Sequence, residues 1–343
     1  MRILIWNINA LVPTVRNFVH AHGGLKGFLQ EHNIDIACFQ ETKVLSAEKL
    51  TRDIACIDGF ESVWAISREK KGYSGTVNYA STEWSPVNAK VDCLGCGDDD
   101  IDREGRVVLT DHGSFVLINV YAPNAGPSPE RPRAAYKYKF LEALNTKAAS
   151  LQDAGRQVLI VGDLNIAATQ QDVHDKLDRE AMYPKHEKEL FDRILTEFTD
   201  VWRKLHPDSV NMFTVWDEKT SARAFNEGVR IDYALCSSGL LEHVVSCEIL
   251  SLPPKWSDHA ALVLELKGLE PPPKGHAPCA LSSARMKQFN DRSQPSMRMF
   301  MRKLPSSAAE TDEAQGDTKR QKILLNGEGT QGLSNRVSIH LTR

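Results

Sequence analysis

The sequence predicts an α+β fold in four layers, two packed mixed β-sheets flanked by helices, followed by a disordered C-terminal tail. Three observations predict it. Apolar runs of strand length outnumber helical patterns and few helices separate them, which fits two stacked sheets better than strict strand–helix alternation. Several of these runs end in polar residues that do not belong in a core. From Pro271-Pro272-Pro273 onward the chain is rich in Ser, Lys, Arg and Gln, and it has too few large apolar residues to offset ordering entropy. The expected division is a folded domain over residues 1–268 and a basic, disordered tail over 269–343.

The elements follow in order. Residues 2–9 open as a strand ending in asparagines. Val15 to Leu29 reads as helix, interrupted at Gly23-Gly24. Ile34 to Phe39 is a strand ending in Gln40-Glu41-Thr42-Lys43, and residues 62–67 and 75–80 form a strand pair. Gly95 to Glu104 is an acidic, flexible loop. Arg106 to Thr110 and Phe115 to Tyr121 read as a hairpin over Asp111-His112-Gly113-Ser114. Tyr136 to Leu151 has helical spacing of Phe140, Leu141, Leu144 and Ala148. Val158 to Val161 is a short apolar run suited to a strand buried on both faces. A helix near Glu187–Phe198 follows, then strands at 213–216, 230–235, 244–250 and 261–266.

Composition narrows the class. The 343 residues are 41% hydrophobic and 25% charged, as expected of a sizeable core. No apolar run approaches the roughly 20 residues that span a bilayer, and the N-terminus lacks a secretory pattern, so a soluble intracellular protein is expected. The seven scattered cysteines suggest no disulfide framework. Cys93 and Cys96 make a lone Cys-x-x-Cys, and no second pair completes a zinc site. Residues 1–270 carry 30 Lys and Arg against 39 Asp and Glu, while residues 271–343 carry 12 against 6. An acidic body does not hold nucleic acid by bulk charge; it suits carboxylates gathered around a metal.

The strand ends supply the candidates. Asn7 and Asn9, Glu41, Tyr121, Asp163 and Asn165, Asp232, and Asp258 and His259 each close or adjoin a different apolar run. Gly162-Asp163 taken alone reads equally as a turn. Six such ends suggest a shared rim of four carboxylates and one imidazole. Carboxylates packed that closely repel unless a cation neutralises them. Oxygen ligands of this kind suit Mg²⁺, with Mn²⁺ as a substitute. His259 is suited to proton handling or to donating to a phosphoryl oxygen. Tyr121, Asn165 and Asn7 can donate to phosphate oxygens. The chemistry expected is metal-assisted phosphodiester hydrolysis. Arg223 and Arg230 either contact substrate or make solvated or structural pairs.

Seven motifs in order, Trp6-Asn7-Ile8-Asn9, Gln40-Glu41-Thr42-Lys43, Gly72-Tyr73-Ser74-Gly75, Asn119 to Asn124, Gly162-Asp163-Leu164-Asn165, Arg230-Ile231-Asp232-Tyr233 and Ser257-Asp258-His259, resemble the exonuclease III family of AP endonucleases. That family lies within the DNase I-like endonuclease/exonuclease/phosphatase fold. Asp102 to Arg106, Pro129-Glu130-Arg131, and Phe213 to Trp216 with Ala222-Arg223 and Asn226 look most like its AP endonuclease 2 branch. The resemblance implies a DNA repair nuclease acting on abasic sites and on damaged or recessed 3′ ends of duplex DNA. It implies a metal site drawn from Asn7, Glu41, Asp163, Asn165, Asp258 and His259. Catalytic roles fall to Tyr121, Asp163, Asn165, Asp232 and His259, and substrate contacts to Asn9, Arg223, Asn226 and Arg230. Val215 and Val229 stand where strong AP endonucleases carry bulky aromatics, so 3′→5′ exonuclease and 3′-phosphodiesterase activity are expected to exceed incision. A strong AP endonuclease, a lipid or RNA phosphodiesterase, and a non-catalytic clamp-binding scaffold are the alternatives.

In the tail, Gln294, Met297, Phe300 and Met301 resemble a sliding-clamp (PCNA) box with Met301 in place of the second aromatic. Lys319-Arg320-Gln321-Lys322 reads as a nuclear localisation signal or a solvated basic run. Nucleus, with an organelle as the other option, and a monomer are the expectations. Many relatives end in a small zinc finger; with Cys279 alone after residue 270, a short form or truncated gene is expected.

Overall fold

A computed structural model describes residues 1–95 and 100–290. Its first half holds β1 (Arg2–Asn7), α1 (Leu11–His22), α2 (Leu25–Glu31), β2 (Ile36–Gln40), α3 (Arg52–Ala55), β3 (Phe60–Ala65), β4 (Thr76–Ser81), β5 (Asn88–Val91), β6 (Val107–Asp111) and β7 (Val116–Tyr121). The second half holds α4 (Ala134–Asp153), β8 (Val158–Asp163), α5 (Arg179–Met182), α6 (Lys185–Glu197), β9 (Thr199–Asp200), α7 (Val201–Leu205), β10 (Val215–Trp216) and β11 (Gly228–Val229). It closes with β12 (Asp232–Cys236), β13 (Val244–Leu250), β14 (Ala261–Leu266) and α8 (Lys287–Asn290).

Two six-stranded sheets, ordered β13-β14-β1-β2-β4-β3 and β5-β6-β7-β8-β12-β9, carry the fold, and β10-β11 form a small ribbon. Both sheets are mixed: β1 with β2 and β7 with β8 are parallel, the rest antiparallel. The expected four layers are present. Strand periodicity explains them, since alternate side chains leave opposite faces. Ile3, Ile5, Ile36, Cys38, Leu117, Leu159, Val161, Ala234 and Cys236 meet between the sheets. Leu4, Trp6, Ala37 and Phe39 point the other way, onto Phe18 and Phe28 of α1 and α2. Ile118, Val158 and Ile160 point onto Phe140, Leu144 and Phe191 of α4 and α6.

That parity positions the site. Asn7, Gln40, Tyr121, Asp163 and Asp232 all share the parity of the inter-sheet residues on their own strands. Cross-strand register then levels them: Asn7 faces Gln40, and Asp163 faces both Tyr121 and Asp232. The polar ends therefore surface together at one edge of the inter-sheet layer. Gly162 permits this crowding: its φ is +121°, and a Cβ there would stand 2.1 Å from the Val120 carbonyl oxygen.

A polar chain crosses the same layer. Gln40 Nε2 donates to Asn119 Oδ1, Asn119 Nδ2 to Asn78 Oδ1, and Asn78 Nδ2 to Thr110 Oγ1. Thr110 Oγ1 reaches His112 Nε2 at 2.9 Å, and His112 Nδ1 lies 2.7 Å from the Trp84 carbonyl. The carbonyl fixes the proton on Nδ1, and Thr110 Oγ1, which accepts from Asn78, donates to Nε2 of the neutral ring. Burial holds the His112 pKa down to about 4 from 6.5. The unfolded chain therefore takes the proton first as pH falls. Stability is complete above pH 6.5 and drains between there and pH 4, by about 3 kcal/mol at pH 4 from this group. Urea denaturation at pH 7 and pH 4 should show that much extra loss in the parent compared with His112→Gln; equal losses would exclude it.

Two features differ from expectation. The strand β5 carries no strong sequence signal: of its four residues Asn88, Lys90 and Val91 are polar or half-buried and Ala89 alone is buried. Ordered structure also continues past residue 268 and past the prolines. Ser282 bridges Val63 of edge strand β3. Ser283 Oγ bonds the Ala55 carbonyl and Ser62 Oγ, Cys279 is buried, and Phe289 joins the Trp64–Tyr79 cluster. An edge strand with free backbone groups gives a polar segment partners that its own composition does not reveal. Cys96, most of the 95–104 loop's acidic core and residues 294–301 lie outside the described residues. Among the described residues, no helix is long and apolar enough to cross a membrane.

Candidate active site

Asn7 at the end of β1 is the hinge of the site. Its Nδ2 donates to Glu41 Oε1 and to Asp163 Oδ2, both at 3.0 Å. Glu41, Asp163 and His259 each bring one ligand-type atom within 4.8 Å of the others. His259 Nε2 lies 3.8 Å from Asp163 Oδ2, and its Nδ1 lies 2.8 Å from Asp232 Oδ2. Asp232 thereby accepts a hydrogen bond from Nδ1–H and aims Nε2 into the cleft. The imidazole is fixed from behind as well: Ser257 Oγ accepts from the His259 amide and donates to the Asn7 carbonyl, and Trp6 Nε1 donates to the His259 carbonyl.

Asn165 sits just beyond β8. Its amide donates to Asp163 Oδ1 at 2.8 Å, its Nδ2 to the Ala122 carbonyl, and its Oδ1 accepts from Asn124 Nδ2. Asn9, Glu41, Lys43 and Asn165 all adopt left-handed backbone, with φ between 51° and 57°. Such strain in non-glycine residues gathers at functional sites.

Electrostatics divide the groups. Burial, and then the charge of Asp232, raise the Asp163 carboxyl above the usual range. Burial alone would lower His259, but Asp232, Asp163 and Asp258 outweigh it and favour the imidazolium. Burial also raises Glu41, yet Lys43 and Asn7 prevail and keep it ionised. Burial, with Glu41 nearby, raises Tyr121 and keeps its hydroxyl a donor. Carboxylate oxygens converging on one point, with Asn7 bridging them, fit a hard divalent cation such as Mg²⁺.

Most of the expected residues meet here. Asn9, Glu41, Tyr121, Asp163, Asn165, Asp258 and His259 line one cleft. Asp258 adjoins the Glu41–Asp163–His259 group in the same cleft, its charge acting on His259 and its Oδ1 accepting from Asn9 Nδ2. Arg223 reaches the rim only, with its guanidinium 4.4 Å from the Trp216 ring and a bond to the Ser257 carbonyl. One substrate assignment is corrected. Arg230 is 0% exposed and bonded to Asp172 and Asp200, so it faces the core. Asn226 is exposed beside the cleft-lining Trp216, accepting from its Nε1 and donating to the Asn211 carbonyl. An arginine beside a strand is equally readable as core or contact until its partners are known.

The sequence reading assigned no role to Lys43, Asn124 or Trp216. Lys43 Nζ lies 2.9 Å from Glu41 Oε2 and donates to Asn9 Oδ1. Asn124 and Trp216 line the cleft. All three stand inside the quoted motifs, which was the available signal.

Residues 4–259 match the model of the Endonuclease/Exonuclease/phosphatase family. The chain is 30% identical to mouse (Mus musculus) DNA-(apurinic or apyrimidinic site) endonuclease 2 over 76% of its own length and 58% of the relative's. It is 33% identical to the DNA repair nuclease APEX1 of Danio rerio, covering 78% of this chain and 82% of that one. The crystal structure of the Xenopus laevis APE2 catalytic domain superposes with a TM-score of 0.73 at 29% identity, covering 86% of this chain and all of that one. The chain thus spans somewhat over half the length of the mouse relative.

Proposed function

The chain belongs to the endonuclease/exonuclease/phosphatase family, and on that premise we propose that it is a Mg²⁺-dependent DNA repair nuclease, better at trimming 3′ ends than at incising abasic sites. The observation that supports it most is the convergence of Glu41, Asp163 and His259 about Asn7, with Asp232 behind the imidazole. A metal held by Glu41 with Asp163 and Asn7 supplies charge neutralisation at the phosphate, and Mn²⁺ serves in its place. Asp163, whose buried carboxyl favours the proton, takes it from the attacking water. The His259 imidazolium, oriented by Asp232, donates to a phosphoryl oxygen as charge develops there. Tyr121 and Asn165 hold the non-bridging oxygens, and in-line attack leaves a 3′-hydroxyl and a 5′-phosphate.

The 3′-end preference rests on the wall of the cleft. Val215 lines it beside Ile231 and pairs across the ribbon with Val229. Aliphatic side chains at these two positions offer a flipped abasic sugar less contact than bulky aromatics would, so it is gripped weakly. On labelled duplexes with Mg²⁺, removal of a recessed or mismatched 3′ nucleotide should outrun abasic incision; the reverse order refutes the preference. No cleavage of any DNA, with Mg²⁺ or Mn²⁺, refutes the nuclease.

The reading extends to partners. Gln294, Met297, Phe300 and Met301 form the clamp-binding segment of a monomeric nuclear enzyme. A peptide of residues 290–305 should titrate onto the clamp, and a flat titration removes that partner.

A further inference from the structure

Two helices each carry a charge where their apolar stripe calls for a hydrophobe. The buried face of α4 runs Lys137, Phe140, Leu141, Leu144, and that of α6 runs Glu187, Leu190, Phe191, Ile194. Both follow the i, i+3, i+4, i+7 spacing of a core-facing stripe. Lys137 is 1% exposed and Glu187 0%. The two meet across the helix interface, with Lys137 Nζ 2.5 Å from Glu187 Oε1. The same ammonium donates to the backbone carbonyl of Asn165 at 2.7 Å.

Stability does not account for the pair. A buried ion pair is commonly matched or bettered by apolar residues of similar volume. What an apolar pair cannot do is hold a carbonyl. Asn165 is left-handed, and its amide, Nδ2 and Oδ1 are already engaged within the site. Its carbonyl is the remaining group, and the residue leaves β8 for the loop there. Holding that oxygen fixes the peptide plane after Asn165, which sets the residue's angle to the cleft.

We propose that Lys137, neutralised by Glu187, is a positioning residue that locks Asn165 in its phosphate-facing geometry. The proposal rests on the nuclease reading above. Both helices lie on the outer side of the sheet from the cleft, so neither side chain needs to touch the substrate.

The test is the full chain with Lys137→Met and Glu187→Leu together, measured in single turnover on a recessed 3′-end duplex with Mg²⁺. The saturating rate is expected to fall about tenfold or more, with half-saturating DNA changed less than twofold and the melting temperature kept within a few degrees. In an Asn165→Ala background the same pair should change the rate less than twofold, because the positioned group is gone. A rate within twofold of the parent, or a loss fully additive with Asn165→Ala, overturns the proposal. If the apolar pair does not fold, Lys137→Met with Glu187→Gln removes the donor to Asn165 while leaving Arg131 an acceptor: a threefold or greater fall in rate at unchanged half-saturation supports the proposal, and an unchanged rate overturns it. A parent chain that cleaves no DNA would instead refute the nuclease reading.

Discussion

Asp163→Ala should lower the single-turnover rate on a recessed 3′ end by about 10²–10⁴-fold, the span of a positioned general base. Folding should survive. Asp163 is a buried carboxyl whose charge opposes that of Asp232, so removing it relieves repulsion as well as losing the bonds from Asn7 and Asn165. A melting temperature equal to or above the parent's, with activity gone, is the expected pair of results. Asp163→Asn keeps the shape and should be equally inactive, because an amide cannot take the proton from water. If this carboxylate serves both water and metal as proposed, Mn²⁺ should not restore the rate. An unchanged rate in either variant would remove Asp163 from the chemistry.

Arg230→Leu should act on stability instead. Arg230 bonds Asp172 Oδ1 through Nε at 2.8 Å and Asp200 Oδ2 through Nη2 at 2.6 Å. Arg203 joins from α7 to Asp172. Asp172 is fully buried, and burial raises its carboxyl, but Arg230 and Arg203 together hold it below the usual range. Removing Arg230 strands charge in the core, at a cost of about 3–5 kcal/mol. Urea denaturation near neutral pH reads this directly. Asp232 lies two residues on in the same strand region, so His259 should lose its orientation as the core loosens. A variant of normal stability with weakened DNA binding would return Arg230 to the substrate side.

Arg230 also shows where sequence reading stops. It stands beside Asp232 in a motif, and a charged residue in a motif invites a contact with substrate. Its two partners come from residues 58 and 30 positions away, and nothing local announces them. Lys137 and Glu187 are the opposite case. Their stripes were legible as helix, and the charge at the head of each stripe was the signal. The segment after Pro273 was invisible for a third reason: its order comes from the edge of β3, not from its own composition.

The sequence by itself determined the layers and most of the site. Continuous apolar runs of strand length dictate strands buried on both faces, and polar residues at their ends dictate a rim, because consecutive side chains point to opposite faces. Tertiary structure decided distance and partnership. Register across β7, β8 and β12 brought Tyr121, Asp163 and Asp232 level, and the fold set His259 against Asp232 and Asp258 against Asn9. Those outcomes depend on contacts from 27 to 249 residues apart, and on the packing of two sheets that no local pattern encodes.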